Sequence, residues 1–269
     1  MSCSLPKTNK GGLVLRGVKL RRKKPMKVLI TGSEGGVGQA VGKELRSAGH
    51  LVFGFDRVAS DAWTGHTVGD LGDRRSVRNA IEGMDAVIHL AATPDEADFI
   101  DELIEPNVRG LYHVCDAARH LGVSKLVLAS SVQVVSGHDW SSLVGLSDGP
   151  RVINHYALTK LWAENLGEMY ARVYNMSIVA ARLGWLPRAH YHAEELLASP
   201  VGTDVYLSHT DAGRFFRACI EADLAPPRFE ILFATSKSGG KTRIDLSRTT
   251  EVTGYVPQDT WPEGQPFIT

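Results

Sequence analysis

From residue 26 onward, short apolar runs alternate with stretches in which apolar residues recur every three or four positions. The runs are MKVLITG (26–32), LVFGFD (51–56), HTVGDL (66–71), DAVIHLAA (85–92), KLVLASS (125–131) and SIVAARLG (177–184). They predict six strands. Several are apolar without alternation, as strands covered on both faces must be. Between them, Val37, Val41 and Leu45 lie four apart and predict a helix over 36–49, stopped by Gly49. A short helix follows from Asp73, and another spans about 104–121. A long helix starts near Tyr156, with the stripe Leu158, Trp162, Leu166, Met169, Tyr170 and Val173. Strand–helix alternation with short loops predicts an α/β fold, a doubly wound parallel sheet with helices on both faces.

After Gly184 the pattern changes. Residues 185–208 read as irregular, Asp211 can cap a helix with the stripe Ala212, Phe215, Phe216, Cys219 and Ile220, and FEILFAT (229–235) predicts a late strand. The expected organisation is a basic, disordered extension over 1–25, a sheet domain over 26–184, and a small C-terminal lobe over 185–269 interleaved with the sheet.

Charge and composition remove some functions. Hydrophobic residues make up 43% of the 269, too many for a disordered chain. Formal net charge is zero, but eight of the 30 basic residues and none of the 30 acids lie in 1–25. That segment is +8, and the remainder, 22 basic against 30 acidic, is −8. An acidic body argues against nucleic acid as partner. No apolar run reaches membrane-spanning length. Cys3, Cys115 and Cys219 match no metal motif and fit a reducing, cytoplasmic compartment. His190, His192, Glu194 and Glu195 lie close together, but their spacing alone does not make a metal site, and none is expected.

Three features carry chemistry. The first is the glycine turn GSEGGVG, in which Gly32, Gly35 and Gly38 bridge a strand to a helix. Such a turn allows close backbone approach to a pyrophosphate and aims a helix N-terminus at the anion, with Gly36 and Val37 in the same turn. The second is Asp56 at the end of the second strand, 24 residues beyond Gly32. Its carboxylate would accept both ribose hydroxyls and repel a 2′-phosphate, so the expected cofactor is NAD in preference to NADP. Arg57, beside it, is the residue that could accommodate the phosphate instead. The third is Tyr156 and Lys160, one helical turn apart, with the serine pair Ser130-Ser131 upstream.

Together these residues resemble the extended short-chain dehydrogenase/reductase family, over about residues 26–259. The resemblance implies a Rossmann fold. Asp70-Leu71 is similar to its adenine-contacting pair, His89-Leu90-Ala91-Ala92 to its cofactor-lining strand end, and Asn107 to its helix-four asparagine. Ser131, Tyr156 and Lys160 resemble its catalytic triad. Ser130 and Asn107, with Tyr156 and Lys160, are then also expected beside the cofactor. Ser-His-Thr-Asp (208–211) and Gly-Tyr-Val-Pro (254–257) resemble its C-terminal landmarks. The roles follow from proton accounting. A free phenol ionises near pH 10, too high for a base at neutral pH. The Lys160 ammonium at i+4 and a positive nicotinamide both favour phenolate. Ser131 would orient the reacting oxygen. By resemblance alone, Asn107 would serve a water chain to solvent.

Within the family the likeness is greatest to the uronate dehydrogenases, which oxidise the C1 hemiacetal of a hexuronic acid. NVRGLYHVCDAARHLGVSKLVLASS, YLSHTDAGRFFRACIEA and DLSRTTEVTGYVPQD carry it. Two segments depart from them: Val132-Gln133 after the serine pair, and GWLPRAHYHAEE after the sixth strand. Ser131, Gln133 and Arg188 are the candidate substrate contacts, Arg188 as a clamp for an anion. Trp185 could pack on a sugar face or in the core, and Arg182 is expected to brace loops. The resemblance implies a small-molecule substrate and a homodimer. Two other functions stay open: an epimerase or dehydratase that recycles its NAD, and a cofactor-binding regulator without turnover.

Overall fold

The computed structural model describes residues 24–266, so the expected disordered extension lies almost wholly outside the described residues. Seven strands form one sheet: β1 Lys27–Thr31, β2 Leu51–Asp56, β3 Gly65–Val68, β4 Ala86–His89, β5 Lys125–Ser131, β6 Ser177–Leu183 and β7 Arg228–Ala234. Their order is β3-β2-β1-β4-β5-β6-β7, and every pairing is parallel. Strand order reverses between β1 and β4. There the loops leaving the two strands part and open a crevice at their carboxyl ends.

The helices are α1 Gly36–Ser47, α2 Arg74–Ile81, α3 Leu111–His120, α4 His155–Tyr174, α5 His190–Ala198, α6 His209–Glu221 and α7 Ser247–Thr253. Each face of the sheet has its own core. On one, Val41 and Leu45 of α1 meet Phe215, Phe216, Cys219 and Ile220 of α6 over β1, β4 and β6. On the other, Val77 and Ile81 of α2, Val114 and Cys115 of α3, and Leu166 and Tyr170 of α4 cover Leu29, Val87, Leu126 and Ile178. Burial on both faces explains the unbroken apolar runs of the central strands. The late strand adds β7 beside β6, so residues beyond 184 complete the sheet as well as its covering layer.

Several elements depart from the sequence reading. The third strand ends at Val68, leaving Asp70 and Leu71 in a loop. The helix expected at 104–121 begins at Phe99, where the Asp98 carboxylate accepts the N–H groups of Ile100 and Asp101. Its first part, Phe99–Gly110, winds in wide π-type turns around Pro106. A proline cannot donate to the helical ladder and its ring crowds the preceding turn, so the backbone there takes a looser pitch. Residues 185–208 are not wholly irregular, since they contain α5. Ser208, not Asp211, caps α6: its Oγ accepts the Asp211 N–H at 2.8 Å. Asp211 is instead fully buried and accepts N–H groups from Gln258 and Asp259 and the Ser236 hydroxyl.

The largest correction concerns α4. Leu158, Trp162 and Val173 of the expected inward stripe are exposed, at 47%, 42% and 53%. The inward face instead carries Ala157, Thr159, Lys160, Ala163, Glu164, Leu166, Gly167 and Tyr170. Two of these are charged, and Glu164 has its partner inside the protein. Both oxygens of Glu164 accept from Arg182 of β6 at 2.8 Å, and Oε1 also accepts from the Ser130 hydroxyl at 2.7 Å. Arg182 therefore braces a helix against the sheet rather than loops against one another.

Glu164→Ala leaves the Arg182 guanidinium buried without its carboxylate, and should lower unfolding stability by about 3–5 kcal/mol. Urea denaturation checks this, and a loss near zero would mean that the pair does not hold α4.

Candidate active site

The crevice at the reversal point is a single cleft of about 1090 Å³. Gly32, Gly35, Gly36, Val37 and Gly38 form one wall. The turn is built by crowding. A Cβ on Gly38 would lie 2.3 Å from the Gly32 carbonyl oxygen, and one on Gly32, at φ +72°, 2.8 Å from the Ala91 nitrogen. Only glycine lets the loop pack this tightly against β4's exit and α1. No side chain caps the N-terminus of α1, so its first N–H groups are free for an anion. The cradle thus fits a dinucleotide's pyrophosphate.

Asp56, Arg57, Asp70, Leu71, Leu90, Ala91 and Ala92 line the same cleft. Asp56 is held by its neighbours: Oδ2 accepts the Glu34 N–H at 3.0 Å and Oδ1 the Val58 N–H at 3.2 Å. Asp70 is turned by the Gly72 N–H, 2.8 Å from its Oδ1. Arg57 is exposed at the rim.

Ser131, Tyr156 and Lys160 also meet in the cleft. Asn154 starts α4 by accepting the Ala157 N–H at 2.7 Å, and its amide donates to Gln133 Oε1 at 2.8 Å. The helix N-terminus is thereby tied to the turn that follows Ser131. Tyr156 and Ser131 line the same stretch of the cleft. Lys160 Nζ sits 5.4 Å from the centre of the Tyr156 ring and donates to the Ala129 carbonyl at 3.2 Å. Burial brings the Lys160 ammonium down to about 8. The phenol moves opposite to the expectation. Burial first, and then the Asp95 carboxylate, push Tyr156 above the usual tyrosine range, against a lowering by Arg188 and Ser131. Lys160 alone does not reverse this.

Other predicted residues are placed differently. Ser130 reaches the cleft, but its hydroxyl is committed to Glu164. Asn107 does not line the cleft. It is buried behind it, accepts the Thr93 N–H at 2.8 Å, and donates to the Thr93 carbonyl and to Thr159 Oγ1. It therefore fixes the loop after β4, and Thr93, not Asn107, faces the cavity. Arg188 and Gln133 do line the cleft, as does Trp185. Arg188 pairs with Asp95, and its N–H donates to His192 Nδ1 at 3.3 Å. Behind Lys160, buried His89 bonds Thr31 Oγ1 at 2.8 Å and is held neutral, down to about 3, by burial and the nearby ammonium.

Sequence reasoning missed Glu34, Thr93, Asp95 and His192, all of which line the cleft. The position of Glu34 inside the glycine turn was the one available signal. Asp95 has none in its sequence, although its φ of +61° marks a constrained loop.

Gly38→Ala should weaken NADH binding by roughly ten-fold or more, because the added methyl must displace backbone at the pyrophosphate cradle. Fluorescence titration reads it directly, and unchanged affinity would remove the cradle from the binding site.

The family described as NAD dependent epimerase/dehydratase matches residues 28–186. The chain is 32% identical over 257 residues to an NAD-dependent glucose-6-phosphate dehydrogenase of Haloferax volcanii, covering 86% of this chain and 93% of that protein. It is 28% identical over 166 residues to a uronate dehydrogenase of Pseudomonas syringae pv. tomato, covering 59% and 58%. Among solved structures, a glucuronic acid dehydrogenase from Chromohalobacter salexigens shares the fold, with a TM-score of 0.77 at 23% identity over 89% of this chain and 86% of that one. With its glycine cradle, ribose-side acid and parallel sheet, the chain belongs to the NAD-dependent epimerase/dehydratase family, and NAD is its cofactor.

Proposed function

We propose that this NAD-dependent oxidoreductase of CH–OH groups takes a hydride from a hydroxyl-bearing carbon of a free sugar or sugar acid, with the C1 hemiacetal as the favoured position. One observation carries the reading. Tyr156 and Ser131 line one cleft, with Lys160 beneath the Tyr156 ring, and that cleft also holds the glycine cradle. Tyr156 is the general base for the substrate hydroxyl, and Ser131 holds the same oxygen. Lys160, charged below about pH 8, favours the phenolate and anchors the cofactor's ribose. Oxidised nicotinamide supplies the hydride acceptor and a positive charge that favours the phenolate further.

The substrate class draws on the cleft and on the relatives. Glucose-6-phosphate, L-arabinose and uronate appear in the names of similar proteins, so a small sugar is their common element. Two of those three carry an anionic group. Arg188 is the cleft residue suited to it, since a guanidinium pairs with a carboxylate or phosphate through two N–H groups. Its present partner, Asp95, would have to give way to such a group. Gln133, tied to Asn154, is the candidate contact for a sugar hydroxyl.

We also propose a homodimer. Tyr112 of α3 and Leu158 and Trp162 of α4 are exposed at 43%, 47% and 42%, on two helices that pack side by side. Large apolar groups concentrated on neighbouring helices favour burial against a second copy.

Tyr156→Phe should lower turnover by roughly 10²–10⁴-fold while NADH titration is unchanged. Turnover within a few-fold of wild type would sink the base assignment. In a panel of aldoses, aldose phosphates and hexuronates with NAD, Arg188→Ala should raise KM for the anionic sugars by roughly ten-fold and barely change neutral ones. Activity confined to nucleotide sugars, with no net NADH formed, would favour the epimerase reading instead. Trp162→Glu should shift the chain from dimer to monomer in sedimentation velocity, and a monomeric wild type would refute the interface.

A further inference from the structure

We infer that Glu34 is a second acid, beside Asp56, that excludes a 2′-phosphate from the ribose end of the cleft and sets the preference for NAD over NADP. A carboxylate is out of place in a turn that otherwise minimises side chains to admit an anion. Its arm, however, does not point at the pyrophosphate cradle. Oε1 accepts from the Trp63 indole N–H at 2.6 Å and from the Ser33 hydroxyl at 3.3 Å, and Oε2 accepts from the Gln39 amide at 2.8 Å. His66 Nε2 lies 3.8 Å away. Trp63 and His66 pack beside Gly54 of β2, so the Glu34 carboxylate is held alongside that strand, two positions before Asp56.

Two further facts connect Glu34 to Asp56. Its own N–H donates to Asp56 Oδ2 at 3.0 Å, and both residues line the cleft. Trp63 is wedged against α1, where a Cβ on Gly42 would come within 2.4 Å of its ring, and Arg46 sits over it at 4.9 Å. Indole, hydroxyl and amide are neutral donors, so these three hydrogen bonds orient the Glu34 carboxylate without themselves cancelling its charge. A ribose 2′-hydroxyl at Asp56 meets acceptors. A 2′-phosphate there, with up to two negative charges, meets two fixed carboxylates at once. Arg57, exposed and adjacent, can offset only one of them. This assigns the discrimination to a pair of acids rather than to Asp56 alone.

The test is the ratio of NADPH to NADH dissociation constants, measured by fluorescence titration on the full chain. Glu34→Gln keeps the acceptor for Trp63 and removes the charge. It should lower the ratio by roughly ten-fold, through tighter NADPH binding. The drop should shrink as salt is raised, because the repulsion is screened. Glu34→Ser, smaller and neutral, must lower the ratio as well, and covers the case in which the glutamine variant does not fold. Glu34→Gln combined with Asp56→Asn should lower it further than either change alone. An unchanged ratio in the two neutral Glu34 variants, beside a lowered one in Asp56→Asn, would overturn the inference and leave Glu34 as a brace for Trp63. Failure of the wild-type chain to bind NADH would remove the dinucleotide site itself, and the inference with it.

Discussion

One desolvated carboxylate holds the reactive half of this protein together. Glu164 and Arg182 each expose only 3% of their side chains, and Ser130 completes the set. The three residues come from α4, β6 and β5. Tyr156 and Lys160 precede Glu164 by two turns and one turn on the same helix, and Ser131 follows Ser130. The geometry of phenol, ammonium and hydroxyl therefore depends on a contact that touches none of them. Such a pair adds little net stability, because desolvation consumes most of the attraction. Its value is positional: sliding α4 along the sheet would strand a charge in the core, which makes every other register costly.

A second tier of polar ties works in the same way nearer the surface. Asn154 joins the start of α4 to Gln133, Asn107 joins the loop after β4 to Thr159 of α4, and Lys160 holds the Ala129 carbonyl. The first two ties connect the helix to segments leaving strands' carboxyl ends, and the third connects it to β5 itself. The cleft's walls therefore come from separate segments that are tied to one helix. The cleft's lining mixes charges: Glu34, Asp56 and Asp70 are among its acids, and Lys160 and Arg188 among its bases, with Arg188 paired to Asp95.

Much of the fold was legible because central parallel strands leave a plain trace. Burial on both faces makes β1, β4, β5 and β6 largely apolar, and the glycine turn has few alternative uses between a strand and a helix. The inward face of α4 was not legible. A hydropathy stripe put Leu158, Trp162 and Val173 inside, whereas Lys160, Glu164 and Gly167 face the sheet. Glu164 is tolerated there only because Arg182 waits opposite. Gly167 is favoured only because a Cβ would press within 3.2 Å of Ile178, Leu128 and Phe229. Neither condition can be seen within the helix's own residues. Asn107 shows the same limit: family resemblance suggested a place in the cleft, and its contacts put it behind one.

What the chain alone determined was the order of elements, their parallel direction, and the kinds of side chain delivered to the strands' carboxyl ends. Periodicity, turn residues and caps act over a few neighbouring positions, so they survive in one dimension. Only the tertiary structure decided which charges meet. Arg188 finds Asp95 across 93 positions of sequence, Trp63 finds Glu34 across 29, and Arg182 finds Glu164 through the packing of a helix on two strands. Those pairings depend on strand order and helix rotation together, and no local pattern carries either one.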